Sequence, residues 1–411
     1  MLDNISPKRF ALICIILGSI LRLIFPYDIE FKVDQKLMLD WVNEFWQDGH
    51  FRTIGMMSGG NVYNFGLGVW LFYLLGWLSN TPVGLTMVVA VINVFSLFFL
   101  YYIIVKKIAE NQKDVWFYAL SLLSVSILPI ILSRDIWIQS ILPPISFGLW
   151  FLYWSDLSKY KYAFLLGLLL VLIGQIHLSG IFLCFIVSIF LFYFHYRKWI
   201  KLHLKAYIIG GVLAALPMIP LFIHLLNDQT SSPSSSFDNM KDLRFLWFHI
   251  FDGLGLDIFY TLEADTVLFF KYPMIYGHHT YLSGVLYILL ILTSLLGIFY
   301  SIKYGLKNTW AYILENFSTH KTIQLIIISL SLYTLLFVLR VRIFSHYFII
   351  TYPFIQLLAV YLVHRKKFLI HSLVLINLFL SILFMLFIHE TGGTENSYYG
   401  ITYQRMIMEG K

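Results

Sequence analysis

Long apolar runs alternate with short polar segments along almost the whole chain. Many of these runs have about 18 residues or more, the length that a helix needs to cross the hydrocarbon core of a bilayer. Backbone polar groups in lipid must be satisfied within the segment itself, so each run is predicted to be a helix. We expect an all-α, polytopic membrane fold with about 11 transmembrane helices, at residues 10–26, 84–105, 115–132, 137–154, 162–176, 179–195, 206–226, 281–302, 322–339, 346–363 and 368–388.

The basic residues indicate which ends of these helices face the cytoplasm. With the N-terminus inside, the predicted inner segments hold more than half of the 29 Lys and Arg residues and few of the 22 Asp and Glu residues. This asymmetry follows the positive-inside rule. It requires that the short run 64–79, which contains glycines, forms a helix at the outer interface and does not cross. The same rule explains the net charge of +7, so we expect no nucleic-acid partner.

Composition places the whole chain in a membrane. Hydrophobic residues make up 59% of the sequence and charged residues only 12%, which excludes an ordinary water-soluble protein. We therefore predict that the lipid bilayer is the protein's environment. Residues 1–389 form one predicted transmembrane domain with long outer segments at 27–83 and 227–280, followed by a polar tail at 390–411 on the outer face.

The first outer segment gathers carboxylates in a chain that is otherwise poor in charge. Apolar residues recur there every four positions, which predicts an amphipathic helix whose apolar face lies in the lipid interface; these residues are Val33, Leu37, Trp41 and Phe45. Asp34 stands where this helix begins. An acid at that point either caps the helix or faces a cavity, and both interpretations stay open.

Further polar side chains stand at the predicted outer ends of spans. Arg340 and Arg342 precede one span, and Arg22 lies near the outer end of the first. Cations at such positions either snorkel to the interface or hold an anion. The other polar candidates on the same face are Gln35, Arg134, Asp135, Gln139, His177, His346 and Tyr347.

The order of these motifs resembles the GT-C superfamily of polytopic glycosyltransferases, and more closely its branch of protein O-mannosyltransferases and aminoarabinose transferases. The likeness covers most of the chain and rests on four short motifs: the aromatic–acid spacing of Phe31 and Asp34, SRDIWIQSILPPISFGLW at 133–150, GQIHLSG at 174–180 and RVRIFSHYFIITYPFIQLLAVYL at 340–362. The family's usual Asp-Glu signature is Asp34-Gln35 here, so the second acid is absent. Many members also carry an acid at the position of Gln139 and a lysine at that of His177.

The resemblance implies an enzyme that transfers a sugar from a polyprenyl-phosphate donor to a hydroxyl or phosphate of a glycan, lipid or protein acceptor. The site would lie on the outer face of a membrane, which we expect to be the bacterial inner membrane. Asp34 would act as the general base, with inversion, because no second carboxylate is evident as a nucleophile. The donor phosphate would be bound by Arg340, Arg342, His346, Tyr347 and Arg22, and the substrates by Gln35, Arg134, Asp135, Gln139 and His177.

Two other functions and a metal stay open at this point. No cofactor is predicted, but a divalent ion at Asp34 remains an alternative for which the sequence names no further oxygen ligands. An O-antigen ligase or polymerase would use the second outer segment, which holds Arg244, His249, His278 and His279. A lipid or glycan transporter would need polar groups and broken helices near the middle of the membrane.

Overall fold

A computed structural model describes residues 5–57, 63–227, 251–318, 320–339, 345–363, 366–394 and 399–410. It is 77% helical, in agreement with the predicted all-α membrane fold. The helices, numbered here in chain order, are α1 Pro7–Leu23, α2 Val33–Asp48, α3 Leu67–Gly76, α4 Pro82–Lys107, α5 Glu110–Val125, α6 Ile127–Leu132, α7 Leu142–Trp154, α8 Tyr160–Ile176, α9 Leu178–Tyr196, α10 Leu204–Ala214, α11 Ile219–Asn227, α12 Ile258–Leu262, α13 Thr266–Lys271, α14 Leu282–Asn316, α15 Lys321–Val338, α16 Phe354–Val363, α17 Lys367–Thr391 and α18 Tyr403–Glu409. Short 3₁₀ turns lie at Ile138–Ile141, Leu216–Met218, Glu263–Asp265 and Ser345–Thr351.

Within the described residues, 6 helical segments are long and apolar enough to cross a bilayer. They are α4, α9, α10 together with α11, the first part of α14, α15 and α17. Each coincides with a predicted span, so the chain is an integral, multi-pass membrane protein. The predicted number of about 11 spans is not confirmed.

The other five predicted spans form shorter helices, and proline marks the interruption in three of them. The run 115–132 is divided at Ser126 into α5 and α6, with Pro129 in the first turn of α6. The run 137–154 begins as a 3₁₀ turn, and α7 starts with Pro143 in its first turn. The run 346–363 becomes α-helical only after Pro353. Proline fits the first turn of a helix but not its interior, because it lacks the N–H that the interior needs.

The amphipathic helix predicted in the first outer segment is α2. Val33 and Leu37 on its predicted apolar stripe are exposed, whereas Met38 on a different face is buried against the protein. The neighbouring helix α3 has 10 residues, and such a helix is roughly 15 Å long, about half the thickness of the hydrocarbon core. Trp46 on α2 donates to the carbonyl oxygen of Tyr73 on α3 (3.0 Å), which ties the two helices together.

Two small antiparallel hairpins were not predicted from the sequence. Strand β1 (Ile54–Met57) pairs with β2 (Tyr63–Phe65), and β3 (Met274–Ile275) pairs with β4 (His278–His279). Strands of two to four residues leave too short a pattern of alternation to be recognised within an apolar sequence.

The described part of the C-terminal tail is anchored to the first outer segment. Tyr403 donates its N–H to the carbonyl oxygen of Ile29, and Gln404 donates to that of Tyr27, both at 3.0 Å. Glu30 and Thr402 form an antiparallel bridge between the same two segments. Polar backbone groups of both segments are thereby satisfied, and the segment that follows α1 is joined to the segment around α18.

Helix α1 packs against α5, α8 against α10, and α14 against α17. The α1–α5 crossing depends on Gly18, because a Cβ there would clash with the carbonyl oxygen of Ser124. Small residues at a crossing let two helix backbones approach closely in lipid. This close approach brings the C-terminal ends of α1 and α5 together, where Arg22 contacts Ser124.

Candidate functional site

One side chain holds both ends of the loop between α6 and α7. Asn93, on α4, donates through Nδ2 to the carbonyl oxygens of Ser133 (3.3 Å) and Ser140 (2.8 Å). All three residues are buried. The loop that carries Arg134, Asp135 and Gln139 is therefore closed on itself and fixed against α4.

Two buried arginines bind the helix ends of α1 and α5 in a reciprocal way. Arg22, on α1, donates to the carbonyl oxygens of Ser124 (2.7 Å) and Leu123 (3.3 Å) at the end of α5. Arg134, which follows α6, donates to those of Leu21 (3.3 Å) and Phe25 (2.6 Å) at the end of α1. Cations at a helix C-terminus satisfy its free carbonyl groups and interact favourably with the helix dipole.

These bonds give both arginines a structural role. Binding of a phosphate by Arg22, or of a substrate by Arg134, stays a prediction that requires some of the carbonyl contacts to be exchanged. Burial lowers the pKa of Arg134, and the neighbouring groups Tyr399 and Asp28 oppose that shift.

Gln35 and Asp135, 100 residues apart in the chain, form a buried hydrogen bond. Gln35, in the first turn of α2, accepts through Oε1 from the N–H of the N-cap residue Lys32 (3.0 Å), which fixes the orientation of the amide. Its Nε2 then donates to Asp135 Oδ2 at 3.0 Å. Within the described part of the chain, Asp135 Oδ1 is buried and has no hydrogen-bond partner. The pair thus joins two of the motifs that the sequence singled out.

Glu30 and Asp34 lie beside this pair, and we call Glu30, Asp34, Gln35 and Asp135 the acidic cluster. Burial raises the pKa of Asp135 to about 7, opposed by the Gln35 hydrogen bond and by the charge of Lys32. Burial also raises the pKa of Glu30 well above its usual range, and the charge of Asp135 adds to that shift. Lys32 Nζ lies 2.7 Å from Glu30 Oε1 and limits the repulsion. The cluster can hold a proton near neutral pH.

Asp34 is the exposed member of the acidic cluster. It lies in the first turn of α2, after the N-cap position, which Lys32 occupies; the capping role that the sequence left open is therefore wrong. Partial burial raises the pKa of Asp34 although the side chain reaches the surface, and the charge of Lys32 opposes the shift. Its own charge raises the pKa of both Asp135 and Glu30. Asp34 is thus electrostatically coupled to buried carboxyl groups while it remains accessible.

A second group, which we call the histidine cluster, consists of Trp137, His177, His346 and Tyr347. The ring of His346 lies 4.6 Å from Trp137 and 4.8 Å from Tyr347, and His177 lies 5.0 Å from Tyr347, all between ring centroids. His177 Nδ1 lies 2.6 Å from Ser179 Oγ and 3.3 Å from the backbone nitrogen of the same serine. Burial lowers the pKa of His177 to about 4, which keeps that ring neutral at physiological pH.

The loop between α6 and α7 contributes one residue to each of the two clusters. Asp135 belongs to the acidic cluster and Trp137 to the histidine cluster, and only Ile136 separates them. Two residues of extended chain span about 7 Å, so the two clusters are neighbours. The structure therefore brings together Asp34, Gln35, Asp135, His177, His346 and Tyr347 from four separate parts of the sequence.

The remaining predicted site residues do not belong to either cluster in the described part of the chain. Gln139 is buried in the 3₁₀ turn of the same loop, and its Oε1 has no partner among the described residues. Arg340, Arg342, Arg244 and His249 lie outside the described residues. His278 and His279 are exposed on strand β4. In the described ranges, no group of three or more His, Cys, Asp or Glu residues could hold a metal ion.

Sequence reasoning missed several residues of this region. Glu30 and Lys32 belong to the charged segment after α1, but nothing in their spacing indicated that they pair or that the Glu30 side chain is only 13% exposed. Asn93 and Trp137 lie within apolar runs. Asn93 could have been recognised as a polar amide inside a predicted span. Such a group is buried only where it finds hydrogen-bond partners, so it indicates a contact with another segment.

No protein-family model, curated protein or solved structure matches this chain.

Proposed function

We propose that this protein is a membrane glycosyltransferase of the GT-C type. It moves a sugar from a polyprenyl-phosphate donor to an acceptor hydroxyl or phosphate at the non-cytoplasmic face, in the bacterial inner membrane. The proposal rests on the motif resemblance, on the multi-pass helical fold and on the charge asymmetry of the predicted loops.

The observation that carries the proposal is the contact between residues 32–35 and the loop 133–140. Both segments belong to motifs of the resemblance, and they meet through the Gln35–Asp135 hydrogen bond. Carboxyl groups whose pKa is raised by burial, together with a charged neighbour, are typical of functional sites. Asp34 is the member of this group that a substrate can reach.

Asp34 serves as the general base in this proposal. A raised pKa makes its carboxylate a stronger base than an ordinary aspartate, and the acceptor's proton would go to it as the acceptor oxygen attacks the anomeric carbon. Attack on the donor sugar from the side opposite the phosphate gives inversion. Gln35 and Asp135 position the first turn of α2, and the buried Asp135 remains a positioning residue.

The departing lipid phosphate needs cations or hydrogen-bond donors. Arg340 and Arg342 would supply bidentate charge-assisted bonds, which suit phosphate geometry. His346 and Tyr347 of the histidine cluster follow them closely in the chain and lie one loop away from the acidic cluster. This arrangement would put the base and the phosphate-binding groups on two sides of the reacting sugar.

The test compares Asp34→Asn with Asp40→Asn. Asp40 is an exposed aspartate on the same helix and serves as the matched control. Proteoliposomes would be given a panel of polyprenyl-phosphate hexoses and aminopentoses, and the release of polyprenyl phosphate would be measured. We expect Asp34→Asn to lower the rate by about 10²–10⁴-fold, the usual contribution of a general base, and Asp40→Asn to stay within about twofold of wild type.

Transfer that continues at the wild-type rate in Asp34→Asn would remove the base from the proposal and favour the ligase-type alternative. Wild-type protein that turns over none of the donors would contradict the proposed donor class.

A further inference from the structure

A further polar pair joins α17 to the segment that pairs with the C-terminal tail. His389, in the last turn of α17, has its Nδ1 at 2.7 Å from Oδ2 of Asp28. The ring of His389 stacks on Phe25 with centroids 4.1 Å apart and an angle of 13° between the planes. Asp28 is completely buried, while 41% of the His389 side chain is exposed. Asp28 thus contacts one edge of the His389 ring, and Phe25 covers one of its faces.

A pocket of about 440 Å³ opens beside the free edge of this histidine. The residues that line it are Phe25, Pro26, Tyr27, Asp28, His389, Gln404, Ile407 and Met408. Tyr27, Ile407 and Met408 are each more than half exposed, so its rim is apolar and open to the surroundings. Neither the acidic cluster nor the histidine cluster contributes a residue to it.

The contact with Asp28 determines which ring nitrogen a ligand meets. An ionised carboxylate only accepts hydrogen bonds, so beside ionised Asp28 the neutral ring of His389 carries its proton on Nδ1. The second nitrogen, Nε2, then carries a lone pair and accepts. Its position on the edge opposite Asp28 makes it the polar group that the histidine offers to the pocket.

The charges around the pocket disfavour an anionic ligand. No lysine or arginine is among the described residues that line it. Asp28 lines the pocket beside the histidine, and Glu390 follows His389 in the chain. Arg134 is close enough to affect Asp28, but its donors are directed to the carbonyl groups at the end of α1. A neutral hydrogen-bond donor with an apolar body fits this combination.

We propose that this pocket binds a neutral amphiphilic alcohol. The hydroxyl donates to His389 Nε2, and the apolar chain lies against Tyr27, Ile407 and Met408. This site goes beyond the proposed transfer reaction and does not depend on it, because binding alone is claimed.

The test uses photolabelling of the full chain in lipid nanodiscs. Three probes share one ten-carbon chain with a diazirine and differ in the head group: an alcohol, its methyl ether and a carboxylic acid. Labelling of the peptide that contains Met408 is quantified by mass spectrometry. We expect about tenfold more labelling by the alcohol than by the ether, the ratio that one hydrogen bond of ordinary strength gives.

Two variants and one control complete the test. His389→Phe keeps an aromatic ring on Phe25 but removes Nε2, so labelling by the alcohol should fall to the level of the ether. His279→Phe, on the exposed strand β4, should leave labelling unchanged. Ile407→Trp fills the mouth of the pocket at an exposed position and should lower labelling by both probes, which decides the matter if His389→Phe does not fold. Equal labelling by alcohol and ether, or stronger labelling by the acid, would overturn the proposal.

Discussion

Two buried glutamines near opposite ends of α5 show what distinguishes a structural polar network from the candidate site. Gln112 is at the start of α5, and its Nε2 lies 2.5 Å from His320 Nδ1. Its Oε1 accepts a hydrogen bond from Thr322 Oγ1 (2.7 Å). Trp116 donates to the same threonine at 3.3 Å. Gln35, at the other end, also uses both ends of its amide, but one of its partners is the carboxyl group of Asp135.

The difference between the two regions lies in charge and in satisfaction of polar atoms. The network around Gln112 joins amide, hydroxyl, indole and imidazole groups, and such networks stabilise a core when every member is paired. The acidic cluster contains carboxyl groups with raised pKa values and, within the described residues, a buried Asp135 oxygen without a partner. A protein retains such an arrangement at a cost in stability, which favours a functional explanation.

The largest expected effect on stability comes from the arginine that joins α1 to this cluster. Arg134→Met leaves the carbonyl groups of Leu21 and Phe25 without a donor and leaves Asp28 without its neighbouring cation, so we expect a loss of about 3–5 kcal/mol. Lys321→Met near Gln112 removes one bond, to the carbonyl oxygen of Tyr153, and should cost about 1 kcal/mol. Thermal unfolding in detergent measures both. Equal losses of stability in the two variants would show that the two regions do not differ in the way proposed here.

The raised pKa of Asp135 predicts how stability depends on pH. The folded protein keeps a proton between about pH 4, where the unfolded chain loses it, and about pH 7, so stability should fall as the pH rises through that window. The full penalty is on the order of 4 kcal/mol. Asp135→Asn keeps an acceptor for Gln35 and should be the more stable protein at pH 8. Its loss of stability between pH 5 and pH 8 should be smaller than that of the wild type, and the remaining loss comes from Glu30, whose pKa is also raised. A wild-type midpoint that rises over this range would contradict the burial of the carboxyl group.

Exchange of each glutamine for leucine separates stability from activity. Gln112→Leu should cost about 1–3 kcal/mol, because it leaves buried polar partners unsatisfied, and the folded protein should keep its transfer rate. Gln35→Leu should lower the transfer rate by at least about tenfold, because it releases the first turn of α2 and Asp34 with it. Unfolding midpoints and polyprenyl phosphate release, measured on the same preparations, provide the two readouts. A loss of activity in both variants would show that the regions do not differ.

The smallest effect is expected for an exposed ion pair. Glu110 and Lys113, at the start of α5, lie 2.5 Å apart, but the Glu110 side chain is 87% exposed. Glu110→Gln should therefore change the free energy of unfolding by no more than about 0.5 kcal/mol. Glu30 pairs with Lys32, and its side chain is only 13% exposed, so Glu30→Gln should change the free energy of unfolding more and in a way that depends on pH. A larger change for Glu110→Gln than for Glu30→Gln would show that burial does not govern these pairs.

Much of the helical fold follows from local pattern. The apolar runs at α4, α9, α14, α15 and α17 are long and uninterrupted, and each was predicted as a span. The runs around Pro129, Pro143 and Pro353 were also apolar, but apolar content says nothing about where a helix stops. Proline indicates where a helix begins or stops, but the predicted spans ran through these three prolines as if the helices were continuous.

The candidate site was predicted only in parts. Asp34, Asp135 and His177 were recognised as separate polar positions at predicted outer ends. The sequence could not show that Gln35 reaches Asp135, that Trp137 lies against His346, or that His389 binds Asp28, because these partners are brought together by helix packing and lie 100 or more residues apart.

The sequence by itself determined that this chain belongs in lipid, because the length and composition of its apolar runs leave no other favourable environment. It also determined the amphipathic character of α2. The tertiary structure decided which acids are buried, which arginines are used by helix ends, and which side chain of the acidic cluster remains open. Burial and pairing depend on what the rest of the chain places nearby, and a pKa responds to those neighbours more than to the residue itself.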